Sequence, residues 1–210
     1  MVITGITGII IGYLLGSIPF AYIAGRLLKK VDIRRVGGGN VGATNVMREV
    51  GTAAGICVFV ADVAKGALAV LVARWLVPDS LLPAFFAGLA AVVGHSWSIF
   101  LKFSGGKGGA TTIGVFWGLV PVASAIVFGI MLVAAFLTSN LRLSTAVGFV
   151  FMPFILWGFG EEASIIVYSI ALPLFTSLRA LPAVIKSLRN PAERKNFLID
   201  KEHKPWQKKK

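Results

Sequence analysis

The chain has 210 residues, 56% of them apolar and 14% charged, with a mean hydropathy of +0.82 and a formal net charge of +12. Soluble domains carry roughly 25% charged residues, so this composition argues against a water-soluble core and for an all-α membrane protein, a polytopic helical bundle. The single cysteine, Cys57, excludes an intramolecular disulfide, and its neighbours Ile56 and Val58 suit it to packing.

The first apolar run covers residues 3–25. It lacks the basic opening of a signal peptide and is too long for a cleaved one, so it is expected to be the first span. Further runs follow at 55–77, 81–101, 110–138, 143–159 and 162–181, lengths of the order needed to cross a ~30 Å hydrocarbon core. Six spans conflict with the charge pattern. Arg26, Lys29, Lys30, Arg34, Arg35 and Arg48 follow the first span and place the N-terminus outside, because Lys and Arg gather on the cytoplasmic side. Ten of the 21 basic residues lie between Arg179 and Lys210, and six spans would put them outside as well.

Gly118 and Pro121 offer the remedy, since a proline cannot donate an intrahelical hydrogen bond. Splitting the run into a short helix (about 110–119) and a second one (about 121–138) predicts seven helices, one of them short and broken, with a cytoplasmic C-terminus. Such a helix is tolerated only inside protein or beside a wet cavity. Residues 1–185 then form a single integral-membrane domain and 186–210 a basic cytoplasmic tail. The positive face suits topology and anionic lipid headgroups, at about 1 kcal/mol per basic residue, rather than nucleic acid.

Every polar cluster falls on the expected inner side. In DIRRVGGGNVGATNVMREVG, residues 32–51, Gly37, Gly38 and Gly39 can turn their backbone amides together into an anion nest. Asn40, Thr44 and Asn45 add neutral donors and Arg48 a guanidinium fork; a plain flexible turn is the alternative. Asp62 and Lys65 share one face of the second span and either satisfy each other or serve a site. His95 either contacts a phosphate or is a buried hydrogen-bonding residue.

FSGGKGGATT, residues 103–112, is a near miss for a nucleotide loop. Lys107 is followed by Gly108 rather than Ser or Thr, and an apolar helix precedes it, so a nucleotide triphosphatase is not expected. What survives is the amides of Gly105, Gly106 and Gly108, one cation, and a helix beginning near Ala110 whose positive end favours an anion. Arg142-Leu143-Ser144-Thr145 is the last polar site. The two histidines and one cysteine lack metal-ligand spacing, and no nucleophile–base–acid pattern is present; Ser17 suits helix packing.

GSIPFAYIAGRLLKKVDIRRVGGGNVGATNVMREVG, ADVAKGALAV and GHSWSIFLKFSGGKGGATTIG, running in order from about residue 16 to 114, closely resemble the bacterial acyl-phosphate-dependent glycerol-3-phosphate acyltransferases, the PlsY family. TSNLRLSTAVG resembles the family's third motif. The resemblance implies a seven-helix inner-membrane acyltransferase with its site facing the cytoplasm. Its implied reaction moves an acyl group from acyl phosphate to the 1-hydroxyl of glycerol 3-phosphate, giving lysophosphatidic acid and phosphate without metal, nucleotide or other cofactor. It also implies roles by position. Gly37, Gly38, Gly39, Asn40, Thr44 and Asn45 would hold the acyl-phosphate headgroup. Gly105 to Gly108, Lys107 above all, would hold phosphate, with Arg48, His95 and Ser144 around glycerol phosphate.

Two departures stand out. The family usually reads GSGN where this chain has Gly37-Gly38-Gly39-Asn40, and it tends to carry H-R-x-N after the last helix, where this chain has Arg189 and Asn190 but no nearby histidine. These keep open a divergent paralogue with another acceptor or none, and, from another class, a transporter of an organic phosphate, which broken helices also suit.

Overall fold

The structure, a computed structural model, describes residues 2–189. Among them are nine α-helices: α1 (Val2–Ser17), α2 (Phe20–Lys29), α3 (Ala43–Glu49), α4 (Thr52–Leu76), α5 (Leu82–Ser96), α6 (Gly109–Leu119), α7 (Pro121–Thr138), α8 (Leu141–Gly158) and α9 (Ala163–Arg189). One 3-10 turn covers Ile99–Leu101. The chain divides into two compact units, residues 1–121 and 122–210. Five segments are long and apolar enough to cross a membrane: Val2–Lys29, Thr52–Leu76, Pro121–Thr138, Leu141–Gly158 and Ala163–Ile185. Leu82–Ser96 and Gly109–Leu119 are apolar but shorter. The protein is thus an all-helical membrane protein.

The first unit is built around α4, which packs against α1, α2, α3, α5 and α6. Its core is made of small side chains: Ala69, Val70, Ala84, Ala87, Ala91 and Val92 are fully buried, whereas Trp75, Leu27 and Phe86 face outward. That inversion suits a lipid solvent, in which close backbone approach replaces the hydrophobic effect between helices. The buried face of α1 is Gly5, Gly8, Gly12, Gly16 and Ser17. At Gly16 the approach to α5 is tightest, since a Cβ there would fall on the Ala91 carbonyl.

The expected first span is not continuous. The helix breaks at Ile18-Pro19, where the proline has no N–H to donate and its own dihedrals leave the helical region. The third expected span is shorter than its apolar run, because α5 ends at Ser96 and residues 99–101 form the 3-10 turn. The break in the 110–138 run falls at Val120, as the proline predicts. α6 spans about 16 Å at ~1.5 Å per residue, and Arg74 Nη1 from α4 caps it by donating to the Gly118 and Leu119 carbonyls at 3.3 and 3.4 Å.

In the second unit α8 packs on α9, and a Cβ on Gly148 of α8 would strike Met131 of α7. Asn140 caps α8, its side chain accepting from the N–H groups of Arg142 and Leu143 at 3.1 and 3.2 Å. Pro153 lies inside α8, and Pro173 and Pro182 inside α9. α9 runs to Arg189, beyond the expected end of the last span. The expected basic tail lies outside the described residues from 190 onward, Asn190 and His203 included.

Candidate functional site

The first glycine loop begins where α2 stops. Lys30 takes the left-handed conformation, and the Val31 N–H donates to Gly25 O at 3.1 Å, turning the chain back. Asp32 anchors the turn. Arg34 grips its carboxylate with both ends of the fork, Nε to Oδ1 at 3.0 Å and Nη2 to Oδ2 at 2.7 Å, and the Arg34 backbone N–H adds a third bond at 3.0 Å. Arg26 stands 3.7 Å from Oδ2, and both guanidiniums flank the Tyr22 ring at 5.3 and 5.1 Å from its centroid. The Arg34 side-chain bond chiefly holds the Asp32 carboxyl down to about 2, from an ordinary 3.8, against the upward push of burial. The same bond raises Arg34.

Asn45, in α3, closes the loop from inside. Its Oδ1 accepts from the Gly38 N–H at 3.1 Å, and its Nδ2 donates to Ile33 O at 3.0 Å and Val36 O at 3.1 Å. The side chain is buried, and this amide and the Gly38 N–H are both used within the loop. Gly37 and Gly39 adopt φ of 55° and 67°. Thr44 is half-buried one residue before the clip, Asn40 is half-buried at the loop's far side, and Arg48 is exposed in the last turn of α3.

The second loop returns from α5 to α6 through the turn at 99–101 and a single bridge between Ser98 and Ser104. The Ser98 hydroxyl donates to Ser17 O, and the Tyr13 hydroxyl donates to Trp97 O at 2.9 Å, fastening this return to α1. Gly106 is wedged at its centre. Its N–H donates to His95 O at 3.0 Å, and any Cβ there would strike His95 Nε2 and the Val41 carbonyl. Val41 belongs to the first loop, so the two glycine loops meet at Gly106. Lys107 is half-buried beside it, and Gly108, with φ of 87°, begins α6.

Beneath this meeting point lies a buried ion cluster. Lys65 Nζ is 2.7 Å from Asp62 Oδ1 and also donates to Ile18 O at 3.0 Å, a carbonyl at the α1–α2 break. His95 Nδ1 faces the same Oδ1 at 3.5 Å. Neither Asp62 oxygen accepts a hydrogen bond of good geometry among the described residues, so Lys65 and His95 stand at Oδ1 as ion-pair neighbours. Asp62, Lys65 and His95 line a small pocket with Ser17, Ser98, Gly105 and the Ile18-Pro19 break.

The fold therefore gathers Gly37 to Asn45, His95, Gly105 to Gly108 and the Asp62–Lys65 pair within one unit. Ser144 belongs to the other unit, where it is buried in the first turn of α8 and donates to Asn140 O at 2.8 Å. Sequence reasoning passed over Ser98 and the Ile18-Pro19 break. The proline was the available signal for the break; nothing in the sequence distinguishes Ser98.

The family model described as glycerol-3-phosphate acyltransferase matches residues 6–190. The chain is 38% identical over 202 residues to glycerol-3-phosphate acyltransferase 1 of Dehalococcoides mccartyi, covering 94% of this chain and 97% of that protein. It is 44% identical over 147 residues to glycerol-3-phosphate acyltransferase 2 of Moorella thermoacetica, covering 70% and 75%. Among solved structures it resembles PlsY, an integral membrane glycerol 3-phosphate acyltransferase, in its glycerol 3-phosphate form, with a TM-score of 0.80 and 33% identity over 88% of this chain and 92% of that one. The lysophosphatidic acid form of that enzyme gives a TM-score of 0.78 at 32% identity, with the same coverage.

Proposed function

The chain belongs to the glycerol-3-phosphate acyltransferase family, and from that premise we propose its particular reaction: transfer of a fatty acyl group from acyl phosphate to the 1-hydroxyl of sn-glycerol 3-phosphate, giving 1-acylglycerol 3-phosphate and inorganic phosphate. Acyl transfer to glycerol 3-phosphate in phospholipid synthesis is what the family does. The finer assignment concerns the donor, the hydroxyl and the residues.

The observation that carries it is the meeting of two glycine loops at Gly106. Both substrates carry phosphate, so the reaction needs two anion sites side by side. The hydroxyl oxygen attacks the acyl carbonyl carbon, the bond from that carbon to the phosphate oxygen breaks, and the hydroxyl proton ends on the departing phosphate. Acyl phosphate is already activated, so orientation and charge stabilisation can supply most of the rate.

In this reading Gly37, Gly39, Asn40 and Thr44 cradle the acyl-phosphate headgroup, and Asn45, bonded to the Gly38 N–H, keeps that loop in shape. Lys107, with Gly105 and Gly108, holds phosphate at the start of α6, and Gly106, bonded to the His95 carbonyl, joins the two loops. Arg48 and His95 contact glycerol phosphate. The acyl chain lies along helices in the bilayer of the bacterial inner membrane, and the basic residues around the first loop support a cytoplasmic site. Residues 1–185 work as one acyltransferase domain, a reading supported by a single family match that covers residues 6–190.

Purified protein given acyl phosphate and glycerol 3-phosphate should form lysophosphatidic acid, and acyl coenzyme A should not replace the donor. Turnover with acyl coenzyme A and none with acyl phosphate would overturn the assignment.

A further inference from the structure

We propose that Asp62 is a positioning residue for this reaction, fixing the His95 ring with its Nδ1 proton toward the buried ion pair and its Nε2 against the second glycine loop. The inference rests on the reading that this loop holds substrate phosphate.

An Asp–Lys pair three residues apart on one helix can satisfy itself, but here it does not stop there. Lys65 reaches past Asp62 to the Ile18 carbonyl at 3.0 Å, and His95 arrives from α5 at 3.5 Å from the oxygen that Lys65 already contacts. Asp62 thus joins three elements, α4, α5 and the α1–α2 break, and all three side chains are buried. Intramembrane ionisable groups are costly and mark function by default, with the partner named.

The chemistry of the contact sets the ring. The Asp62 charge, 3.5 Å from Nδ1, favours the imidazole proton on that nearer nitrogen, because an ionised carboxylate has none to donate. That leaves Nε2 directed at Gly106, where a Cβ would collide with it, while the His95 carbonyl holds the Gly106 N–H at 3.0 Å. His95 therefore supports the loop through both its backbone and its ring. A ring freed from Asp62 can turn or exchange its proton, and Nε2 then no longer offers its lone pair to a hydroxyl of glycerol phosphate.

Asp62→Asn tests this, because the amide it introduces can donate to Nδ1 and favour the proton on Nε2. The chain has two histidines, so His203→Gln leaves a single imidazole for nitrogen-15 spectroscopy. In that otherwise native protein the expected spectrum shows a protonated Nδ1; a bare Nδ1 would overturn the proposal without any change at Asp62. Asp62→Asn should move protonation toward Nε2. It should also raise KM for glycerol 3-phosphate about three- to tenfold, because a protonated Nε2 no longer accepts from a glycerol hydroxyl, with KM for acyl phosphate within about twofold. Unchanged protonation and unchanged KM in a folded Asp62→Asn protein would also overturn it. Lys107→Ala measured alongside separates the two ideas: if it keeps full turnover, the loop assignment fails, whereas the spectroscopic result still judges the Asp62–His95 contact.

Discussion

Asn45 offers the sharpest test of how the first loop is held. Asn45→Ala removes three hydrogen bonds, from Gly38 N–H and to the Ile33 and Val36 carbonyls. Each is worth about 0.5–1.5 kcal/mol net, so the loop loses about 1.5–4.5 kcal/mol of local stability, or roughly a ten- to thousandfold rise in its opening. Ile33, Val41 and Val46, buried with Val58 of α4, still anchor the segment, so the global fold should survive. Hydrogen exchange of the amides from residue 33 to 45 should accelerate by that factor, and acyl transfer should fall with it. Asn45→Asp keeps the acceptor for Gly38 but turns a carboxylate oxygen toward two carbonyls, so it should do no better than alanine. If exchange stayed at the wild-type rate while KM for a phosphate substrate rose, Asn45 would be touching substrate directly and the clip argument would be refuted.

Three further outcomes follow from the packing and the charges. Asp32 has a folded value of about 2 against 3.8 when free, so its stabilisation is complete above about pH 4 and is lost as pH falls toward 2. The gap in melting temperature between wild type and Asp32→Asn should accordingly be constant near neutrality and shrink below about pH 4 in a pH series. Gly16→Leu should cost at least about 1–3 kcal/mol, read by thermal unfolding in detergent, because its side chain would occupy the place of the Ala91 carbonyl. Arg74→Gln should loosen the end of α6 by about 1 kcal/mol, seen as faster exchange near Gly118 with the first loop unaffected.

Much of this arrangement is legible in the sequence, for identifiable reasons. The break at Val120 follows from a proline inside an overlong apolar run, and the start of α6 follows from glycines ahead of hydroxyl residues. Pro19 carries the same signal, yet the apolar run continues across it and reads as one span. The spacing of Asp62 and Lys65 exposes their pairing, because i and i+3 share a helix face. That His95 joins them depends on how α5 packs, which no local pattern encodes. Asn45 shows the limit most clearly. An asparagine among glycines is equally equipped to meet a phosphate or a carbonyl, and only the path of residues 33–38 around it decides that its amide is used within the loop.

Lys107 is the residue on which the proposed chemistry most depends, since it is the cation of the loop that meets the first at Gly106. The decisive measurement is lysophosphatidic acid formation from acyl phosphate and glycerol 3-phosphate by wild type and Lys107→Ala, each verified as folded by its melting curve. The account predicts turnover by wild type and a loss of at least about 100-fold in the variant, the scale of removing one charge-stabilising donor. A folded Lys107→Ala protein that turns over like wild type would contradict it.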